Sequence, residues 1–114
     1  MSTEIYVVFV SLPRDEARNM ARGLVENRLA ACVNIVPKIE SYFMWENTAE
    51  YDEESLLIIK TTPAKFEALR TWVQQEHPYE LPEIIALPVT AGLSEYVEWV
   101  NKVTDQSKDT GETE

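Results

Sequence analysis

The chain has 114 residues, enough for one domain and too few for two independent cores. Apolar residues make up 45% of it and charged residues 26%, which excludes wholesale disorder. Twenty acidic against ten basic side chains give a formal charge of −10, the wrong sign for neutralising phosphates, so nucleic acid and anionic membrane are not expected as partners.

Ile5 to Leu12 is an almost unbroken β-favouring run and predicts a central strand covered on both faces. A helix follows, with Ser11 as a cap, Pro13 as its first residue and Asp15 and Glu16 in its first turn. Ala17, Met20, Ala21, Leu24 and Val25 form its apolar stripe, while Arg14, Arg18, Arg22 and Arg28 face water. The next β-favouring stretch, from Ala31 through Trp45, is long for a strand, and Pro37 predicts a bend or bulge with a second arm beyond it. Glu46 to Glu54 holds five carboxylates and reads as an exposed turn, with Ser55 to Thr61 as the returning strand.

Thr62 and Pro63 open a second helix whose apolar face carries Phe66, Leu69, Trp72 and Val73, with Ala64 and Ala68 packed beside it. His77-Pro78 closes that helix, because a residue before proline is pushed out of the helical region. A fourth strand runs from Glu83 to Val89, and a short third helix from Glu95 to Val103 buries Tyr96, Val97, Trp99 and Val100. Residues 1–103 thus form the domain, and residues 104–114 a disordered acidic tail.

The order strand, helix, strand, strand, helix, strand is that of an α+β split βαβ sandwich, here with an added helix. Two helices cover one face of the sheet, yet the central strands are apolar in both directions, so a second copy of the chain is expected over the other face. The aromatic arm Ser41-Tyr42-Phe43-Met44-Trp45 is expected to add to a neighbour's sheet in an obligate homo-oligomer.

A single cysteine cannot form an internal disulfide, which favours the reducing cytoplasm as the compartment. Met1 to Glu4 lacks a basic signal-type region, and no apolar run reaches the roughly 20 residues that cross a bilayer. Cys32 reads as a packed, inert thiol, with a soft copper ligand or a nucleophile paired to His77 as the functional alternatives. His77, the one histidine, reads as a helix-ending residue. Alternatively, it binds a borderline divalent ion weakly with help from Glu76, Glu80 and Glu83 on a rigid Pro-framed loop. No His-x-x-x-His or Cys-x-x-Cys spacing supplies structural zinc, and three glycines cannot build a phosphate loop. No set of acid, base and nucleophile assembles, so the chain is not expected to be an enzyme and requires no cofactor. Lys60 reads as a surface lysine, or as a cation facing an anionic ligand or the carboxylates of the Pro-framed loop.

Leu29-Ala30-Ala31-Cys32-Val33-Asn34-Ile35, Ser41-Tyr42 with Trp45, Leu57 to Thr62, and His77-Pro78-Tyr79-Glu80 through Pro82 to Pro88 together resemble the CutA family, over roughly Ile5 to Val103. The resemblance implies a ferredoxin-like domain in a tight trimer, similar in architecture to PII signalling proteins and linked to divalent-cation (copper) tolerance as a response to metal ions. Where family members carry a proposed copper site, its positions read Val10, Glu76 and His77 here, so one of three ligands is kept. His77 and Glu80 are the metal candidates, with Cu²⁺ or another divalent cation as a weak ligand. The PII-like alternative is a non-enzymatic signalling or adaptor trimer with a small organic ligand in intersubunit clefts. Cys32, Asn34, Trp45, Lys60, Tyr79, Glu80 and Glu83 are the expected lining of such a cleft.

Overall fold

Alternation along the first strand decides the layering. Val8, Val10 and Leu12 are fully buried against the helices, and Val7, Phe9 and Ser11 point the other way. A computed structural model describes residues 4–105, in the order β1 (Tyr6–Leu12), α1 (Arg14–Glu26), β2 (Cys32–Trp45), β3 (Thr48–Thr61), α2 (Pro63–Glu76), β4 (Ile84–Pro88) and α3 (Ser94–Thr104). The sheet order is β2-β3-β1-β4, antiparallel throughout, which is the expected ferredoxin-like α+β topology.

In register, Val10 faces Leu57 and Val8 faces Ile59, so these four share the face on which Ala17, Met20 and Leu24 of α1 and Leu69 and Val73 of α2 pack. Burying five to ten such side chains, each worth about 1.5–3 kcal/mol, makes this layer the main source of stability. The opposite face carries Val7, Phe9, Leu56 and Ile58 with Ile85 and Leu87, and the last two are 50% and 48% exposed. α3 meets this second face near Cys32 and buries Val100 completely. Its Tyr96 and Trp99, expected inside, stay partly exposed, with their rings tilted against each other at a centroid distance of 5.6 Å.

Several local expectations are corrected. Pro13 precedes α1 as its extended cap residue instead of standing inside it, and Ser11 caps nothing. Val25, one position round the helix from the fully buried Leu24, is exposed, and Ala64 and Ala68 face outward on α2. Arg28 does not face water: at a positive φ of 57° just after α1, it donates from Nη1 to the carbonyl of Val103 at 2.6 Å, capping α3. Thr104, expected in a disordered tail, belongs to α3 and is buried; the rest of that expectation, residues 106–114, lies outside the described residues.

The bend at Pro37 is as expected. The β2–β3 ladder shifts register between Val36 and Ile39, and Lys38 takes a φ of 61°. Beyond it, the acidic segment expected as a turn is strand. β3 begins at Thr48, and the turn is only Glu46-Asn47, both at positive φ, as a two-residue hairpin requires. Pairing with the aromatic arm overrides the weak β-propensity of the acids: Phe43 faces Glu50, Tyr42 faces Tyr51 and Ser41 faces Asp52.

Candidate functional site

The loop after α2 starts where Pro78 forces His77 into an extended conformation, with the His77 amide still closing the helix on the carbonyl of Val73. The imidazole then turns inward and is 7% exposed. Its Nε2 lies 2.8 Å from the carbonyl oxygen of Ser11, and the backbone N–H of Tyr79 lies 3.1 Å from Nδ1. A carbonyl can only accept and an amide N–H can only donate, so Nε2 carries the proton and Nδ1 supplies the lone pair. Both ring nitrogens are spent on backbone groups.

Tyr79 sets its ring at a tilt against the imidazole, centroids 4.8 Å apart, and sends its hydroxyl to the hairpin, donating to Glu54 at 2.9 Å with Asp52 at 3.5 Å. Burial, then the hydrogen bond and negative charge of Glu54, then Asp52, push the Tyr79 phenol well above its ordinary value. Glu54 is itself buried, at 5% exposure, which makes its phenol partner costly to lose. At the loop's far end, Glu83 accepts from the Ser11 hydroxyl at 3.3 Å. Glu76 and Glu80 are exposed.

Cys32, Asn34 and Lys60 assemble elsewhere. Cys32 pairs across the ladder with Lys60, whose ammonium donates to Asn34 Oδ1 and lies 3.5 Å from the carbonyl of Ile58. Tyr96 of α3 adjoins the Cys32 thiol; burial first and then that thiol raise its phenol. Lys60 stands six residues along β3 from Glu54, about 20 Å on an extended strand, so it lies well away from the carboxylate that Tyr79 bonds. Trp45 lies at the arm's tip, roughly another 20 Å out. Within one chain, then, the residues expected to line a cleft fall in three places.

Among the described residues no three His, Cys, Asp or Glu side chains are grouped to hold a metal ion. Val10, at one of the copper positions, is fully buried and points into the helix-facing core, and His77 offers no free nitrogen. The expected copper set therefore does not fit in a single subunit. Sequence reasoning missed Ser11, Asp52 and Glu54. The available signal was the spacing of Asp52 and Glu54, which puts both on one face if that segment is a strand. A cavity of about 270 Å³ opens at the junction of β4 and α3, lined by Ile5, Val89, Thr90, Ser94, Val97 and Glu98, and includes none of these groups. No helix among the described residues is long and apolar enough to cross a membrane.

A family model described as CutA1 divalent ion tolerance protein matches residues 6–103. A divalent-cation tolerance protein CutA from Thermus thermophilus is 46% identical over 99 residues, covering 86% of this chain and 96% of that protein. A chloroplastic CutA protein from Arabidopsis thaliana is 48% identical over 99 residues; the match takes in 86% of this chain but about half, 54%, of the plant protein. The crystal structure of CutA1 from Oryza sativa superposes with a TM-score of 0.88 at 42% identity, covering 92% of this chain and 99% of that one.

Proposed function

The chain belongs to the CutA1 divalent ion tolerance family, and from that premise we propose that it serves divalent-cation tolerance as a cytoplasmic homotrimer. In this reading it holds Cu²⁺ or another divalent cation weakly and catalyses nothing. What supports trimerisation is the bare apolar sheet face together with the aromatic arm, since such surfaces are normally covered. The reduced thiol expected of a lone Cys32 supports the cytoplasm.

One observation carries the cation reading: His77 is fixed as the peg of the loop, so its exposed neighbours Glu80 and Glu83 remain as the hard oxygen donors that a divalent ion meets there. A net charge of −10 draws cations toward such groups, and their exposure keeps the affinity low. His77 is thus a positioning residue in this proposal and not a ligand. The PII-like signalling alternative gains no comparable support, since the cavity at the junction of β4 and α3 is lined by neither Lys60 nor Tyr79.

Calorimetric titration with Cu²⁺ tests the proposal. The double variant Glu80→Gln/Glu83→Gln should bind roughly tenfold more weakly than the parent, because both charges are lost while an amide oxygen at position 83 can still accept from the Ser11 hydroxyl. Equal affinities would remove these carboxylates from the account.

A further inference from the structure

Beyond the bulge, the paired segment Ile39 to Glu54 leaves the body of the protein as a two-stranded arm. A ribbon of two strands has little stability of its own, and its direction is set where it joins the sheet. That joint is weak by construction. The ladder is interrupted between Val36 and Ile39, Pro37 has no N–H to give, and Lys38 sits at positive φ. With an arm of about 20 Å, a change of about 10° at the joint moves the tip by roughly 3–4 Å.

Glu54 is the residue opposite Ile39, the first pair past the bulge. Among the described residues, the side-chain hydrogen bonds that reach the arm from the body are the two made by the Tyr79 hydroxyl, to Glu54 and Asp52. Tyr79 is in turn held to the body: its amide rests on His77 Nδ1, and the other side of that ring rests on Ser11 at the end of β1. A continuous line therefore runs from the central strand through the imidazole and the phenol to the base of the arm. It ends on a buried carboxylate, where a hydrogen bond is strongest and its loss least compensated by water.

We propose that Tyr79 is a strap across this joint, which fixes the direction of the hairpin arm and whose release frees the arm to swing about the bulge at Pro37-Lys38. The device does not rest on the cation reading; in the trimer proposed above, contacts with a neighbouring copy add to the strap's hold on the arm, and the strap sets the direction in which the arm is presented. It predicts a local effect: loosening the strap mobilises the arm and leaves the helix-packed core as it was.

Amide hydrogen exchange on the full-length protein, in whatever assembly it adopts, tests this with Tyr79→Phe, Glu54→Gln and the double variant. Tyr79→Phe keeps the ring and removes only the hydroxyl. Each single variant should speed exchange of the amides in 39–43 and 50–54 by about tenfold or more, the effect of one charge-assisted hydrogen bond. The double variant should be no faster than the quicker single, because both remove the same contact. Amides of β1 should stay within about twofold of the parent. Unchanged arm exchange would overturn the strap, additive effects would overturn its action through Glu54, and a parallel rise in β1 would show general destabilisation in its place.

Discussion

Ile85→Glu is the sharpest test of the covered sheet face. Ile85 sits opposite Phe9 on the face away from α1 and α2, and half of it is open to solvent in the single chain. If the chain worked alone, a glutamate there would reach water, and the cost would be limited to lost β-propensity and partial packing, at most about 1 kcal/mol. If three copies bury that face against one another, each introduced carboxylate is removed from water among Val7, Phe9, Ile58 and Leu87 of its own chain, while Lys60, the cation on that face, stands two strands away and donates to Asn34. An uncompensated buried charge costs roughly 3–5 kcal/mol, and a trimer would carry three. Every 1.4 kcal/mol is a factor of about ten in association, so each charge weakens assembly a hundredfold or more. The assay is size-exclusion chromatography with light scattering at low micromolar concentration, on the parent, Ile85→Glu and the apolar control Ile85→Leu. The expected masses are three chains for the parent and control and one chain for the glutamate variant, which keeps its circular dichroism because the helix-facing core is unchanged. A trimer that survives Ile85→Glu, or a parent that runs as a single chain, would refute the reasoning.

Gly23→Ala should destabilise, by about 1 kcal/mol net, because the new Cβ would stand 2.6 Å from Cη2 and 2.8 Å from Cζ2 of Trp72. Alanine would otherwise gain about 0.8–1 kcal/mol of helix propensity at this mid-helix position, so the sign of the shift in a urea midpoint reports whether α1 and α2 meet through that glycine. The alkaline limb should be governed by tyrosines. Tyr51 is pushed up to about 12 by partial burial, then by its hydrogen bond to Glu53 and the nearby negative charges, and Tyr79 and Tyr96 are raised as well. Between their ordinary value near 10 and the raised one the unfolded chain holds fewer protons than the folded one, so stability is complete below pH 10 and falls as pH rises toward 12. Phenolate absorbance should show that Tyr51→Phe removes a late-titrating group; removal of one titrating near 10 instead would contradict the assignment.

The elements that a lone subunit stabilises were the ones legible in the sequence. β1, α2 and the closure at His77-Pro78 follow from an apolar run, a helical stripe and the steric demand of proline, all of which act within a few residues. What escaped depends on partners far along the chain. Glu50 to Glu54 reads as a turn because acids seldom build strands alone, and only the facing residues Ser41 to Phe43 make them one. Tyr96 and Trp99 carry helical spacing that marks a buried face, but spacing does not say whether the same chain or another copy buries it. Likewise, the sequence showed that His77 ends a helix, while its two bonds needed Ser11, 66 residues earlier, brought alongside by the sheet.

That histidine also explains why the candidate site moved. An imidazole between a carbonyl and an amide N–H is held in one tautomer, and each of these bonds replaces the lone pair or the open nitrogen that a metal would need. Taking it as a ligand means unpairing the Tyr79 amide or the Ser11 carbonyl in a largely buried setting, at about 1–3 kcal/mol before any ion is held. Exposed carboxylates on the same loop ask for no such disruption. The lone histidine is therefore better placed to shape the loop than to bind through it, and the loop's grip on the arm through Tyr79 depends on the same two backbone bonds.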